Sequence, residues 1–200
     1  MRTRTVLLTS LIAGLTLQAA APVPRPSKEF TVTLPSGTQT LLSSYRGKVV
    51  MLACIFTTCP HCQNLSKIIT KLQAELGPRG FQALGAAFND EVNTPNAAAN
   101  AQVTTAFVQQ FGVGFPVGYA PRNNVMSYLG LSEIESWSVP QIVVIDRKGV
   151  IRAQSAAQGS ADLQTESYLR KYLGDLLAEG GAKAAPSKSP AKKPAEKKTT

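Results

Sequence analysis

Apolar and polar positions divide the chain into short runs with two different periods. Residues 48–56 hold an almost unbroken apolar run, Val49-Val50-Met51-Leu52-Ala53-Cys54-Ile55. A run without alternation predicts a strand covered on both faces. After Pro60 the period changes. Leu65, Ile68, Ile69, Leu72 and Leu76 fall on one helical face, and Gly77-Pro78 stops the helix. Residues 81–88 predict a second apolar strand, and 97–111 a helix ended by Gly112. Residues 115–119 predict a short strand, and 123–129 a short helix ended by Gly130. Residues 141–146 and 150–154 predict two strands around an Arg147-Lys148-Gly149 turn. Residues 161–178 predict a closing amphipathic helix with Leu163, Tyr168, Leu169, Tyr172, Leu173, Leu176 and Leu177 as its apolar positions. Ahead of all these, residues 30–34 and 39–42 alternate around Pro35-Ser36-Gly37 and predict a small hairpin.

Strands and helices in this order imply an α/β fold, with a central mixed β-sheet flanked by helices and an N-terminal β-hairpin extension. The ends read differently. Residues 1–21 have a basic start, an apolar stretch and a small-residue finish, as an export signal does. The stretch is short for a membrane span, so cleavage is expected over an uncleaved anchor. Residues 22–28 read as a linker, 29–179 as the folded domain, and 180–200 as a disordered Lys/Ala/Pro-rich tail. The expected location is extracytoplasmic, such as a periplasm. The N-terminal segment or the basic tail could bring the chain near a membrane.

Charge follows the same division. The net charge is +9, but residues 22–180 carry 13 basic and 11 acidic side chains. The excess belongs to the ends, so the domain is not read as a nucleic-acid binder.

Three cysteines, Cys54, Cys59 and Cys62, crowd into nine residues. A disulfide-stapled exported domain would spread its pairs, so this crowding points to reactivity. Cys59-Pro60-His61-Cys62 follows a buried strand and opens a helix. At a helix N-terminus, free backbone N–H groups and the dipole favour an anion, and the thiolate is the nucleophile. Pro60 suits the first helical position because its missing donor would be unpaired there anyway. His61 places a dipole or a positive charge beside the sulfur. Cys62, one turn on, can displace a mixed disulfide. The electron carrier is the Cys59–Cys62 disulfide itself, with no other cofactor and no metal expected. A zinc site needs four ligands, and beyond the pair only Cys54 and His61 are at hand. Haem attachment needs a histidine directly after the second cysteine, where Gln63 stands. Cys54, inside the apolar run, reads as a small core residue.

Residues 30–37, the Tyr45-Arg46-Gly47-Lys48-Val49-Val50 stretch, the 56–62 segment and the 137–149 segment together resemble the TlpA-like, redoxin-type branch of the thioredoxin superfamily. The resemblance implies a thioredoxin-like fold and a thiol–disulfide oxidoreductase. It implies protein thiols or disulfides as substrates, and a redox partner protein. By the same resemblance Cys59 is the attacking and Cys62 the resolving cysteine. Pro140 is the cis proline facing them, and Val139 offers backbone groups to a substrate peptide. Trp137 and Thr58 would flank that surface.

Three positions depart from the pattern. Thr58 stands where many TlpA-like proteins have tryptophan, and Leu65 where many have glutamate. Ala53 stands where thioredoxin has a buried aspartate. The usual acid for the second thiol is therefore missing, which argues against an efficient reductase. The Cys-Pro-His-Cys tetrapeptide and the valine before the proline resemble DsbA, a disulfide donor. A stabilised thiolate is a good leaving group, which makes its disulfide oxidising. The reading tips towards oxidase or isomerase. Two alternatives come from other classes. A peroxiredoxin-like peroxidase needs a threonine three positions before its cysteine, where Phe56 stands. A Sco-like copper-binding module needs a distant histidine, but His61 is the chain's single histidine.

Overall fold

The structure is a computed structural model that describes residues 22–132 and 134–179. The expected export signal and lysine-rich tail lie outside the described residues. Among the described residues, eight strands form one sheet, in the order β1 (Arg25–Pro26), β8 (Val150–Gln154), β7 (Gln141–Ile145), β4 (Val49–Ile55), β5 (Phe81–Ala87), β6 (Val117–Tyr119), β2 (Thr31–Thr33) and β3 (Gln39–Leu41). The core strands are β4 (Val49–Ile55), β5 (Phe81–Ala87), β6 (Val117–Tyr119), β7 (Gln141–Ile145) and β8 (Val150–Gln154). β4, β5 and β6 run parallel, while β7 pairs antiparallel with β4, and β8 with β7. The hairpin of β2 (Thr31–Thr33) and β3 (Gln39–Leu41) joins the β6 edge. Gly118 lets it dock: a Cβ there would lie 2.3 Å from the Thr33 carbonyl oxygen.

Among the described residues, four α-helices cover the sheet: α1 (Pro60–Leu76), α2 (Ala97–Phe111), α3 (Arg122–Leu129) and α4 (Glu166–Glu179). Every residue of β4 is buried, as its unbroken apolar run requires. Its side chains alternate between two cores. Val49, Met51, Ala53 and Ile55 meet α1, α4 and Phe107 of α2. Val50, Leu52 and Cys54 meet α3, Phe30 and Leu42 on the other face.

Two expectations need correction. The segment expected to be a linker carries a two-residue strand, β1 (Arg25–Pro26), paired with β8. Only two residues pair there, too few to show a period. The closing helix begins later than the apolar spacing suggests. Thr165 is extended, with φ −97° and ψ 124°, and separates a 3₁₀ turn, Asp162–Gln164, from α4. Leu163 is buried from that turn rather than from the helix, so its apolar character fits the pattern while its backbone does not.

Candidate active site

Strand register gathers the site at one edge of the sheet. Cys54 pairs with Gln141, so the residues just before β7 meet those just after β4. Ile55 pairs with Ala87, which brings Phe88 and Asn89 alongside Phe56 and Thr57. Ala87 pairs with Tyr119, which adds the start of α3. Segments 56–59, 88–90, 120–122 and 137–140 therefore converge, although about eighty residues separate the first from the last.

Cys59 is the N-cap of α1, extended at φ −80° and ψ 121°, and Pro60 holds the first helical position. Its backbone N–H donates to the Phe56 carbonyl at 3.2 Å. Its sulfur is partly exposed and lies 3.9 Å from the Val139 carbonyl oxygen. Cys62, one turn on, is fully buried. Both are thiols in this structure, as is Cys54. Burial pushes the Cys62 thiol well above the ordinary range, and the neighbouring Cys59 raises it further. Ala53 and Leu65 share its core, so the two positions where relatives carry an acid contribute only apolar surface here. Cys54 points into the opposite core, and burial pushes its thiol up to about 12. That separation removes Cys54 as a partner for Cys59.

The Val139–Pro140 peptide bond is cis. Pro140 is buried, Val139 is half-buried, and His61 and Thr58 are exposed on the rim. Thr58 and Gln63 border a groove of about 420 Å³ between α1 and Val103, Phe107 and Phe111 of α2. Trp137 packs edge-on to Phe56, with ring centroids 5.9 Å apart, and also against buried Phe88.

Sequence reasoning missed the polar side chains that fix these loops. Asn89 Oδ1 accepts the Thr57 backbone N–H at 3.2 Å, and its Nδ2 donates to the Thr57 hydroxyl and to Glu91. Gln63 Nε2 donates to the Thr57 carbonyl at 3.0 Å. Gln141, fully buried at the start of β7, donates through Nε2 to the carbonyls of Ser138, Ala156 and Ala157. The available signal was a lone amide at one edge of an apolar run, Asn89 after residues 81–88 and Gln141 before residues 142–145, since a buried amide has to find partners. Asn89→Leu is expected to destabilise the fold by about 2 kcal/mol, because a buried Thr57 N–H loses its acceptor. Urea denaturation would measure this; an unchanged midpoint would show that Asn89 is dispensable.

The profile of the AhpC/TSA family matches residues 23–154. The chain belongs to the AhpC/TSA family. Among curated relatives, probable glutathione peroxidase 8-B of Xenopus laevis is 27% identical over 112 residues, 56% of this chain and 53% of that protein. The chain thus spans about half the length of the curated relative it matches. Solved structures agree on the fold. A candidate protein disulfide isomerase from Bacteroides thetaiotaomicron is 26% identical with TM-score 0.64, over 81% of this chain and 94% of its own. A thiol:disulfide interchange protein of the thioredoxin family from Chlorobium tepidum is 20% identical with TM-score 0.61, over 79% and 99%. A secreted disulfide oxidoreductase of Mycobacterium tuberculosis is 15% identical with TM-score 0.54, over 73% and 95%. This AhpC/TSA member has a thioredoxin-like fold.

Proposed function

We propose that this protein is a thiol–disulfide oxidoreductase that exchanges disulfides with protein thiols outside the cytoplasm, donating its Cys59–Cys62 disulfide as an oxidase or rearranging disulfides as an isomerase. One observation carries the reading: a partly exposed Cys59 at a helix N-terminus lies 3.9 Å from the carbonyl before a cis proline, with Cys62 fully buried behind it. A substrate thiolate attacks Cys59 of the disulfide, the S–S bond breaks, and Cys62 leaves as a thiolate and takes up a proton. The second substrate thiol loses its proton and attacks the substrate sulfur of the mixed disulfide, so Cys59 leaves. Two electrons have then moved to the enzyme, and a redox partner protein must remove them. Val139 would present its backbone to the substrate, with Pro140, Trp137 and Thr58 around it. His61 would keep a dipole or charge beside the leaving sulfur.

Export is supported by the residue pattern of positions 1–21, and the oxidising direction by the helix N-terminus and the apolar surroundings of Cys62. A redox titration of the pair tests direction. A potential well above about −270 mV supports the oxidant, and a value near it restores the reductase. Thiol trapping in the native compartment should find the pair oxidised.

The raised Cys62 thiol also sets a pH dependence. Below its pKa, the thiolate fraction grows tenfold per pH unit. Release of a Cys59-linked mixed disulfide by Cys62 should therefore accelerate about tenfold per unit between pH 6 and pH 8. Stopped-flow release of a labelled peptide would show it; a flat profile would mean that an unrecognised base serves Cys62.

Peroxide reduction at Cys59 is a second reading, favoured by the Xenopus relative. Phe56 occupies the position where a threonine would cradle peroxide, and the Thr57 side chain is buried against Asn89. Peroxide consumption that survives Cys62→Ser would support this reading.

A further inference from the structure

We propose that Arg122 is a positioning residue that holds the loop before Cys59 and the loop before Pro140 in one fixed arrangement. The inference rests on the disulfide-exchange reading of the site. Arg122 is the first residue of α3. Its guanidinium carbon lies 5.5 Å from the Phe56 ring centroid and 6.0 Å from that of Trp137. Phe56 is three residues before Cys59, and its carbonyl accepts the Cys59 N–H. Trp137 is two residues before Val139, whose carbonyl faces the Cys59 sulfur. The two rings meet edge-on over buried Phe88. Arg122 therefore closes an aromatic box whose walls belong to the two segments that must be in register for a substrate peptide to reach Cys59.

Its other polar contacts go to exposed partners. Nη2 donates to Asp90 at 2.6 Å, and the Arg122 backbone N–H reaches Asn93 Oδ1 at 3.4 Å. Asp90 follows Asn89, which pins Thr57. The Asp90 side chain is 89% exposed and that of Arg122 is 28% exposed, so solvent screens the ion pair and the stacking carries the connection. A planar guanidinium can lie over two rings at once; an ammonium is a point charge on a flexible stem.

Small dithiols need only the Cys59 sulfur, whereas peptides also need the Val139 carbonyl in register. Arg122→Ala and Arg122→Lys should therefore lower kcat/KM for a cysteine-containing peptide by about tenfold more than kcat/KM for dithiothreitol. Asp90→Asn should behave as wild type with both. The emission of Trp137, the single tryptophan of the chain, should shift to the red in both Arg122 variants and not in Asp90→Asn. Equal losses with both substrates, or none, in Arg122→Lys would overturn the proposal, as would Asp90→Asn matching Arg122→Ala. Failure of the underlying reading would look different: wild-type protein would not exchange disulfides with either substrate.

Discussion

Cys59→Ser is expected to lower disulfide exchange with a reduced peptide by at least ~10³-fold, because a serine hydroxyl cannot form the S–S bond whose cleavage takes up the two electrons. The fold should survive, since Cys59 is partly exposed at a helix cap and serine is among the preferred N-cap residues. The companion variants divide the roles of the three sulfurs. Cys62→Ser should leave Cys59 able to attack the disulfide of an oxidised peptide, breaking its S–S bond, but remove the thiol that releases it, so a mixed disulfide with that substrate accumulates. Cys54→Ala should keep exchange within about twofold of wild type, because the Cys54 side chain belongs to the opposite core. Mass spectrometry of protein quenched during turnover would show the trapped species on Cys62→Ser. Residual exchange in Cys59→Ser above about one tenth of wild type would move the nucleophile elsewhere and sink this assignment.

The same arrangement makes both buried thiols sensitive to alkali. In the folded chain the Cys54 thiol is pushed up to about 12, and that of Cys62 is raised as well. The unfolded chain releases these protons near the ordinary value of about 8.5. The stability that comes from keeping them neutral is complete below that pH. It falls as pH rises through the gap, by up to ~1.4 kcal/mol per unit for each thiol. Oxidising Cys59 to Cys62 should remove the Cys62 contribution and leave that of Cys54.

Much of this site was legible in the sequence because the chemistry is local. Cys59, Pro60, His61 and Cys62 are consecutive, and the apolar run before them and the helical spacing after them fix where they stand. The bounds of α2 match the expected 97–111 because Asn96 caps one end through Ala98 and Ala99, and Gly112, at φ 58°, closes the other. What the sequence hid depends on strand register. Asn89 reaches Thr57 only because Ile55 pairs with Ala87, and Arg122 reaches Trp137 only because β6 lies beside β5. Along the chain Arg122 stands just before the helix expected over 123–129. Nothing in its neighbourhood along the chain shows that two aromatic rings, one about sixty-six residues earlier, form its seat.

Gln141→Ala is expected to cost about 2 kcal/mol, enough to lower the melting midpoint by about 4–8 °C in a domain of this size. The Gln141 amide nitrogen carries two hydrogens and faces three carbonyls, those of Ser138, Ala156 and Ala157, at 2.8, 3.1 and 2.9 Å. This side chain ties the segment before the cis proline to the turn after β8; its removal leaves the Ser138 carbonyl without its donor and a cavity in the core, while the Ala157 and Ala156 carbonyls keep the backbone N–H groups of Ser138 and Gly159. The amide orientation is fixed by the same contacts, because a flipped amide would point oxygen at oxygen. Gln141→Glu separates the loss of these bonds from the loss of volume. A carboxylate there faces three carbonyl oxygens, so the folded state favours the protonated acid and its pKa rises above the ordinary value of about 4.3. Stability is then retained below that pH and lost as pH rises through the folded-state value. Gln141→Glu should therefore melt near wild type at about pH 4 and well below it at pH 8, while Gln141→Ala stays low at both. If Gln141→Glu shows no such crossover, the amide is not what holds the proline loop, and the fixed position of Val139 over Cys59 must come from the aromatic box alone.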